Sequence, residues 1–388
     1  MRRLTVLCLG LFSQFAHPAD ATVRVATFNA SLNRAEEGQL IRDLSVPGND
    51  QAQKVAAILQ RVRPDIVLIN EFDHDPDGIA LAGFQTHYLG IGQGGEEPID
   101  YPYHFAAAVN TGVPTGVDLN GDGKLTPGND SFGWGVFPGQ YGMVVLSRYP
   151  IDLEGIRTFQ NFLWKDMPGA LLPVDPESGY SFYSEAALAV LRLSSKSHWD
   201  LPVRIDDRVV HLLVSHPTPP VFDGPEDRNG KRNHDEIRFW ADYLTPGRDT
   251  YIRDDLGGAG GLAEGADFVI LGDMNADPFD GDSVNDAIGR LLEHPRVMRG
   301  IAPRSGGAVE AADEQRRANE SHRGDPAFDT ADFPDAHSGN LRVDYVLPSV
   351  GLEVEASGVF WPRREEPESA WTEVSDHHLV WVDLDLGD

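Results

Sequence analysis

Asp273 and Asn275 stand two residues apart in DFVILGDMNADP (Asp267–Pro278). A carboxylate and an amide oxygen at that spacing could hold a hard cation, or a water beside one. They could equally close a turn on their own backbone. Polar groups set at the end of an apolar run recur along the chain. Asn29 follows TVRVATF, Glu71 follows DIVLIN, His216 comes just after RVVHLLVS, and Asp376 and His377 precede Leu379–Leu384. A carboxylate beside such a run needs a donor, water or a cation, because burying it unpaired is costly. Asp344, inside RVDYVLP, has the same need. One such residue is unremarkable. Carboxylates, amides and imidazoles repeated at strand ends imply one rim where those ends converge.

The elements that must carry them are legible in the patterning. Phe268–Leu271 is a continuous apolar run, broken by Gly272, and suits a strand buried on both faces. Thr22–Phe28, Asp65–Asn70, Gly142–Pro150, Ser181–Leu193, Arg208–Val214, Arg342–Pro348 and Leu379–Leu384 read as further strands. Asp50–Val62 is an amphipathic helix, with Val55, Ile58, Leu59 and Val62 on one face and Pro64 beyond its end. Arg228–Leu244 is another, with Asn233 and Glu236 as its cap and the cap's partner. Val284, Ala287, Ile288, Leu291 and Leu292 mark a third, and residues 300–340 show little periodicity. There is no internal repeat and no linker.

Composition bounds the compartment and the partners. Arg2 and Arg3, the apolar run Leu4–Phe12 and the small-residue site Ala19–Ala21 form a secretory signal peptide over residues 1–21, too short to span a bilayer. Residues 22–388 are then expected to form one domain, exported to the periplasm or the medium, without a transmembrane anchor and monomeric. Cys8, the only cysteine, leaves with the signal, so the exported chain depends on its core and on bound metal for stability. The formal charge of −29 becomes −30 once Arg2, Arg3 and Asp20, together +1, are removed. Such a field repels nucleic acid and anionic lipid at long range and attracts divalent cations.

A second cation signal stands apart. In Asp118–Asp130, Asp118, Asn120 and Asp122 take positions one, three and five of a calcium loop, Gly123 the sharp turn at six, Lys124 and Thr126 positions seven and nine. Asn129 replaces the usual closing glutamate, with Asp130 one residue later. We read a structural Ca2+ site. Three cations are candidates to receive an anionic substrate: Arg148 at a strand's exposed end, and Arg232 and Arg238 in the basic helix.

NASL, PDIVLINEF, LLVSHPTP, LGDMNADP, RVDYVLPS and VSDHHLV, in that order, resemble the motifs of the endonuclease/exonuclease/phosphatase family over essentially the whole exported chain. The resemblance implies a four-layer α/β sandwich of two packed mixed β-sheets flanked by helices. It also implies Mg2+ or Mn2+ at Glu71, with Asn29 and Asp376 on the metal side. Asp273 would activate water, Asn275 hold the phosphate or metal, and His216 stabilise a phosphoryl oxygen. His377 would be the other catalytic imidazole, polarised by Asp344. The calcium-like loop, the stretch DRNGKRNHDEIRFWADY and the segment DTADF (Asp329–Phe333) depart from the compact nucleases. The expected activity is metal-dependent hydrolysis of a phosphoester, with a small or lipid-derived substrate favoured over duplex DNA. The alternatives are an extracellular nuclease and a calcium-dependent binding module without turnover.

Overall fold

The protein is described by a computed structural model over residues 22–284 and 286–387. Residues 1–21, where a signal peptide is expected, lie outside the described residues. Two β-sheets pack face to face. The first runs, in spatial order, β12 (Glu353–Val359), β13 (Val380–Asp385), β1 (Thr22–Asn29), β2 (Ile66–Asn70), β4 (Met143–Ser147) and β3 (Tyr103–Phe105). The second runs β11 (Asp344–Pro348), β8 (Asp267–Asp273), β7 (Arg208–Ser215), β6 (His198–Ile205) and β5 (Arg157–Thr158). A short ribbon of β9 (Ala331–Asp332) and β10 (Asn340–Leu341) stands apart.

Alternation along each strand sorts side chains into three cores. Val25, Leu68 and Val145 from the first sheet meet Leu201, Leu212, Val269 and Val346 from the second in the space between them. On the outer face of the first sheet, Phe28, Ile69 and Val144 pack against Val55, Ile58 and Leu59 of helix Asp50–Val62. On the outer face of the second, Leu213, Ile270 and Tyr345 pack against Ile237 and Trp240 of helix Arg228–Tyr243. The result is the helix–sheet–sheet–helix sandwich expected from the motifs.

Strand direction decides where the polar ends fall. β1 and β2 are parallel, as are β7 and β8, while β13 and β11 run antiparallel to β1 and β8. The C-terminal ends of β1, β2, β7 and β8 therefore share one rim with the N-terminal ends of β11 and β13. Gly272 does not end its strand. β8 continues through it to Asp273, and a Cβ at Gly272 would lie 2.0 Å from the Ser215 carbonyl oxygen. Only glycine permits that approach, and it draws Asp273 against the end of β7.

Other expectations are corrected. Ser181–Leu193 is not a strand; Ser184 caps a helix over Glu185–Val190 by accepting from the Ala187 N–H, and alanine-rich EAALAV sustains it. The strand missed nearby is β6, disguised by Asp200 and Pro202. Asp200 is satisfied by Tyr243 and His211, each at 2.6 Å. The Pro202 carbonyl accepts from Asp152, so its missing N–H also points away from the β7 ladder. Among the described residues around Val284–Leu292, the helix is confined to Gly289–Leu292, and residues 300–340 contain the helix Gly306–Gln315.

Candidate active site

Each strand end supplies one group to the rim, and the groups meet at Asp273. Its Oδ2 lies 3.1 Å from Asn29 Nδ2, 3.3 Å from His216 Nε2 and 3.6 Å from His377 Nε2. Its Oδ1 accepts the Asn275 N–H at 2.9 Å. Asn29 Nδ2 also reaches Glu71 Oε1 at 3.1 Å, and Asn33, unnoticed in the sequence, donates to Glu71 Oε2 at 2.7 Å. His377 Nδ1 is held by Asp344 Oδ2 at 2.9 Å, which also accepts from Thr330 Oγ1 at 2.8 Å. Asp273, Asp344, His216, His377 and Asn29 are all buried. Asp376 stands at the mouth, half-exposed, 3.9 Å from His377 Nε2.

Two site residues adopt the left-handed backbone that side chains avoid: Glu71 at φ 60° and Asn275 at φ 50°. Glu71 directly follows β2 and Asn275 comes two residues after β8, and each conformation costs on the order of 1 kcal/mol. The turn aims Glu71 into the rim, and Asn275 donates through its amide to the Pro217 carbonyl at 3.2 Å.

Electrostatics separate the groups. Burial raises the Asp273 carboxyl, but His377 and His216 beside it hold it well below the usual carboxylate range. Burial works against charge on His377, yet Asp344 and Asp273 lift it well above an ordinary histidine. Burial, reinforced by the Asp273 charge and opposed by His377, pushes Asp344 up to about 6. His216 goes the other way: burial, then the nearby Lys196, hold it down despite Asp273. The arrangement at neutral pH is an ionised Asp273 facing a protonated His377 and a neutral His216.

Lys196 is a second group, after Asn33, that sequence reasoning missed. It precedes β6 on this rim and is buried. Its ammonium makes no hydrogen bond or ion pair with a described residue. Burial lowers its affinity for a proton, while Glu236, Glu71 and Asp273 raise it. A lysine in SSKSHWD ahead of an apolar stretch was the available signal.

Asn233 and Glu236 are not a helix cap, since the helix begins at Arg228, preceded by Asp227. They lie within it and brace the rim. Asn233 donates to the Thr218 and Met274 carbonyls at 2.8 and 2.9 Å, and Glu236 accepts the Ser195 and Thr218 N–H groups at 2.6 and 2.7 Å. The helix thus ties together the loops bearing His216, Asn275 and Lys196.

The three arginines are elsewhere. Arg148 ion-pairs with Asp65 at 2.9 Å, at the end of β4 and β2 away from Glu71. Arg232 is buried and donates to the carbonyls of Leu193, Phe132 and Arg192. Arg238 is held by Asp242 and the Pro168 carbonyl. Each guanidinium ties loops together in an acidic chain and faces no rim carboxylate. In the calcium-like loop, Asp118 accepts from Gly121 and Gly123, Asn120 from Asp122, Asp122 from Lys124, and Asp130 from Leu119 and Thr126. Among the described residues, the group of three carboxylate or imidazole ligand atoms mutually within 4.8 Å is Asp273, Asp344 and His377.

With His377 protonated, it is the Glu71 side of the rim, next to that group, that suits a hard cation. Glu71 and Asp273 converge on one amide donor, and Asp344 Oδ1 and His216 Nδ1 are buried without partners. A sandwich with such a rim belongs to the metal-dependent phosphoesterase class. The chain belongs to the Endonuclease/Exonuclease/phosphatase family, whose model matches residues 26–377. Its fold is similar to that of an endonuclease/exonuclease/phosphatase from Beutenbergia cavernae DSM 12333, at 16% identity, covering 94% of this chain and 72% of that one with a TM-score of 0.51. Sphingomyelinase C from Streptomyces griseocarneus aligns at 13% identity over 94% and 99% of the two chains, TM-score 0.45. TDP2 from Caenorhabditis elegans aligns at 15% over 94% and 74%, TM-score 0.44. No curated protein matches the sequence.

Proposed function

We propose that this protein hydrolyses a phosphoester by in-line attack of water on phosphorus, with Asp273 accepting the water's proton. The observation that carries the reading is the convergence of Asn29, His216 and His377 on one oxygen of a buried, ionised Asp273. Donors already gathered there need little rearrangement to face the charge that grows on the phosphoryl oxygens. His377, held by Asp344, keeps its proton and donates to the phosphoryl or leaving-group oxygen. Neutral His216 donates from Nε2, and Lys196, a buried cation of this rim without an ion pair to a described residue, meets the phosphate. Glu71 and Asn29, with Asp376 at the mouth, would hold Mg2+ or Mn2+. A divalent ion bound there supplies polarisation of the phosphoryl oxygen and neutralisation of its charge.

Substrate class follows from the field. A chain of −29 with its arginines committed to loops suits a compact phosphoester, small or lipid-derived, better than duplex DNA. Export and a monomeric state belong to the same proposal. So does Ca2+ in the loop Asp118–Asp130, supported by its spacing and by Gly123 at φ 80° on the sharp turn. Among the described residues no helix is long and apolar enough to cross a membrane. The test is a panel of chromogenic phosphomonoesters and phosphodiesters beside plasmid nicking, run with Mg2+, Mn2+ and Ca2+ in turn. Turnover of a small ester with little nicking is expected. Efficient nicking would return the substrate to DNA, and no turnover with any metal would leave a binding module.

A further inference from the structure

The loop that leads into β4 lies along the rim. β4 starts at Met143, opposite Asn70 at the end of β2, so the residues just before it cross beside Glu71. Phe72 donates its N–H to the Gly142 carbonyl at 3.1 Å, and Tyr141 donates its N–H to Asp73 at 3.1 Å. Gln140 donates to the Arg34 carbonyl at 2.7 Å, next to the Asn33 that holds Glu71. Tyr141 stands at φ 57°, the left-handed turn also found at Glu71. Farther back, the same loop meets the Lys196 side. Asn110 donates its N–H to the Lys196 carbonyl at 2.9 Å, and a side chain at Gly133 would collide with the Ser195 carbonyl oxygen. Trp134 follows Gly133 directly. It is 59% exposed, yet it is held in place. Its ring centroid lies 5.9 Å from that of Tyr141, and a Cβ at Gly128 would lie 3.0 Å from its Nε1. Two aromatic rings fixed beside a phosphate site are a surface on which a π-system can stack.

We infer that Trp134 and Tyr141 form a platform for a flat aromatic leaving group, whose phosphoryl group then faces the rim. The inference rests on the phosphoesterase reading and names a substrate class within it, the phosphoesters of ring-bearing alcohols and phenols. Two rings with planes at 44° present a surface about one ring across, which suits a single flat group better than a long acyl chain. They also suit it better than an organic cation. Glu71 is committed to the metal. The Asp73 carboxylate accepts the Arg34 and Tyr141 N–H groups at 2.7 and 3.1 Å, so its oxygens are turned to the backbone and not to a guest over the rings. Stacking would place the leaving group and leave the phosphate to the rim residues. The platform thus sets specificity and takes no part in proton transfer.

The test reads binding and needs no turnover. The full chain, loaded with Mg2+ or Mn2+, is titrated by isothermal calorimetry with methylphosphonate, phenylphosphonate, cyclohexylphosphonate and aminoethylphosphonate. Phenylphosphonate should bind about tenfold tighter than methylphosphonate, within the range that one stacked ring is worth. It should also bind tighter than cyclohexylphosphonate, which is apolar but not flat. Trp134→Ala should erase that preference while methylphosphonate binding and the Tm stay unchanged, and Trp134→Phe should keep most of it. If Trp134→Ala does not fold, Trp134→Leu, apolar without a flat face, takes its place. Equal binding of the phenyl and cyclohexyl compounds, tighter binding of the aminoethyl compound, or a phenyl preference that survives loss of the indole overturns the platform alone. Failure of even methylphosphonate to bind would remove the phosphate site, and with it both the phosphoesterase reading and this inference.

Discussion

At the scale of single residues, Asp273, His377 and Lys196 do different work and should fail differently. Asp344→Asn deprives His377 of the anion that keeps it protonated and oriented, and we expect kcat to fall about a hundredfold. The double variant Asp344→Asn/His377→Gln should lose little more than His377→Gln alone, because the pair acts as one unit. Additive losses in that cycle would separate the two residues. Lys196→Met should behave unlike any of these. Removing an unpaired buried cation should leave the Tm unchanged or raised, while kcat/KM falls because the phosphate has lost its cation. A Lys196→Met enzyme of lower stability and normal kcat/KM would make the lysine structural.

At the scale of elements, the strand ends were legible and the bracing was not. Apolar runs such as DIVLIN and DFVILGD announce themselves, and the polar residue at each terminus is visible in one dimension. What places Glu71 and Asn275 is a left-handed turn, and what binds their loops is the interior of helix Arg228–Tyr243. Neither has a period. Asn233 and Glu236 looked like surface capping residues because their partners, Ser195, Thr218 and Met274, are distant in sequence. The arginines misled for a converse reason: an exposed-looking cation in an acidic chain finds carbonyls and carboxylates first. Gly272→Ala tests the strand packing. The clash with Ser215 should cost on the order of 3 kcal/mol and disturb His216 with it, read as a lower urea midpoint. A variant of unchanged stability would mean that β7 and β8 are less closely apposed. His198, buried between Ser194 and the Glu236 carbonyl, is held down to about 4, chiefly by burial. The unfolded chain therefore binds the extra proton first. This contribution is fully present above the ordinary value of 6.5 and is lost as pH falls towards 4. Urea unfolding at pH 7 and pH 5 should show a loss of about 2 kcal/mol from this group, largely absent in His198→Gln.

At the scale of the molecule, the charge of −29 surrounds a site meant for an anion. Long-range repulsion should slow the encounter, so kcat/KM on a doubly charged phosphomonoester should rise as salt goes from low to moderate ionic strength. A protein built to coat nucleic acid would show the reverse, with binding weakened by the same salt. The sandwich brings two sheets together so that one rim gathers groups drawn from residues 29 to 377, and that gathering is the central claim. The most direct test is the kcat/KM of Asp273→Asn beside the wild type on one responsive phosphoester, both stripped of metal and then restored with Mg2+ or Mn2+. The account predicts metal-restored turnover in the wild type and a loss of a hundredfold or more in a variant whose circular dichroism is unchanged. Equal turnover by a folded Asp273→Asn would contradict it.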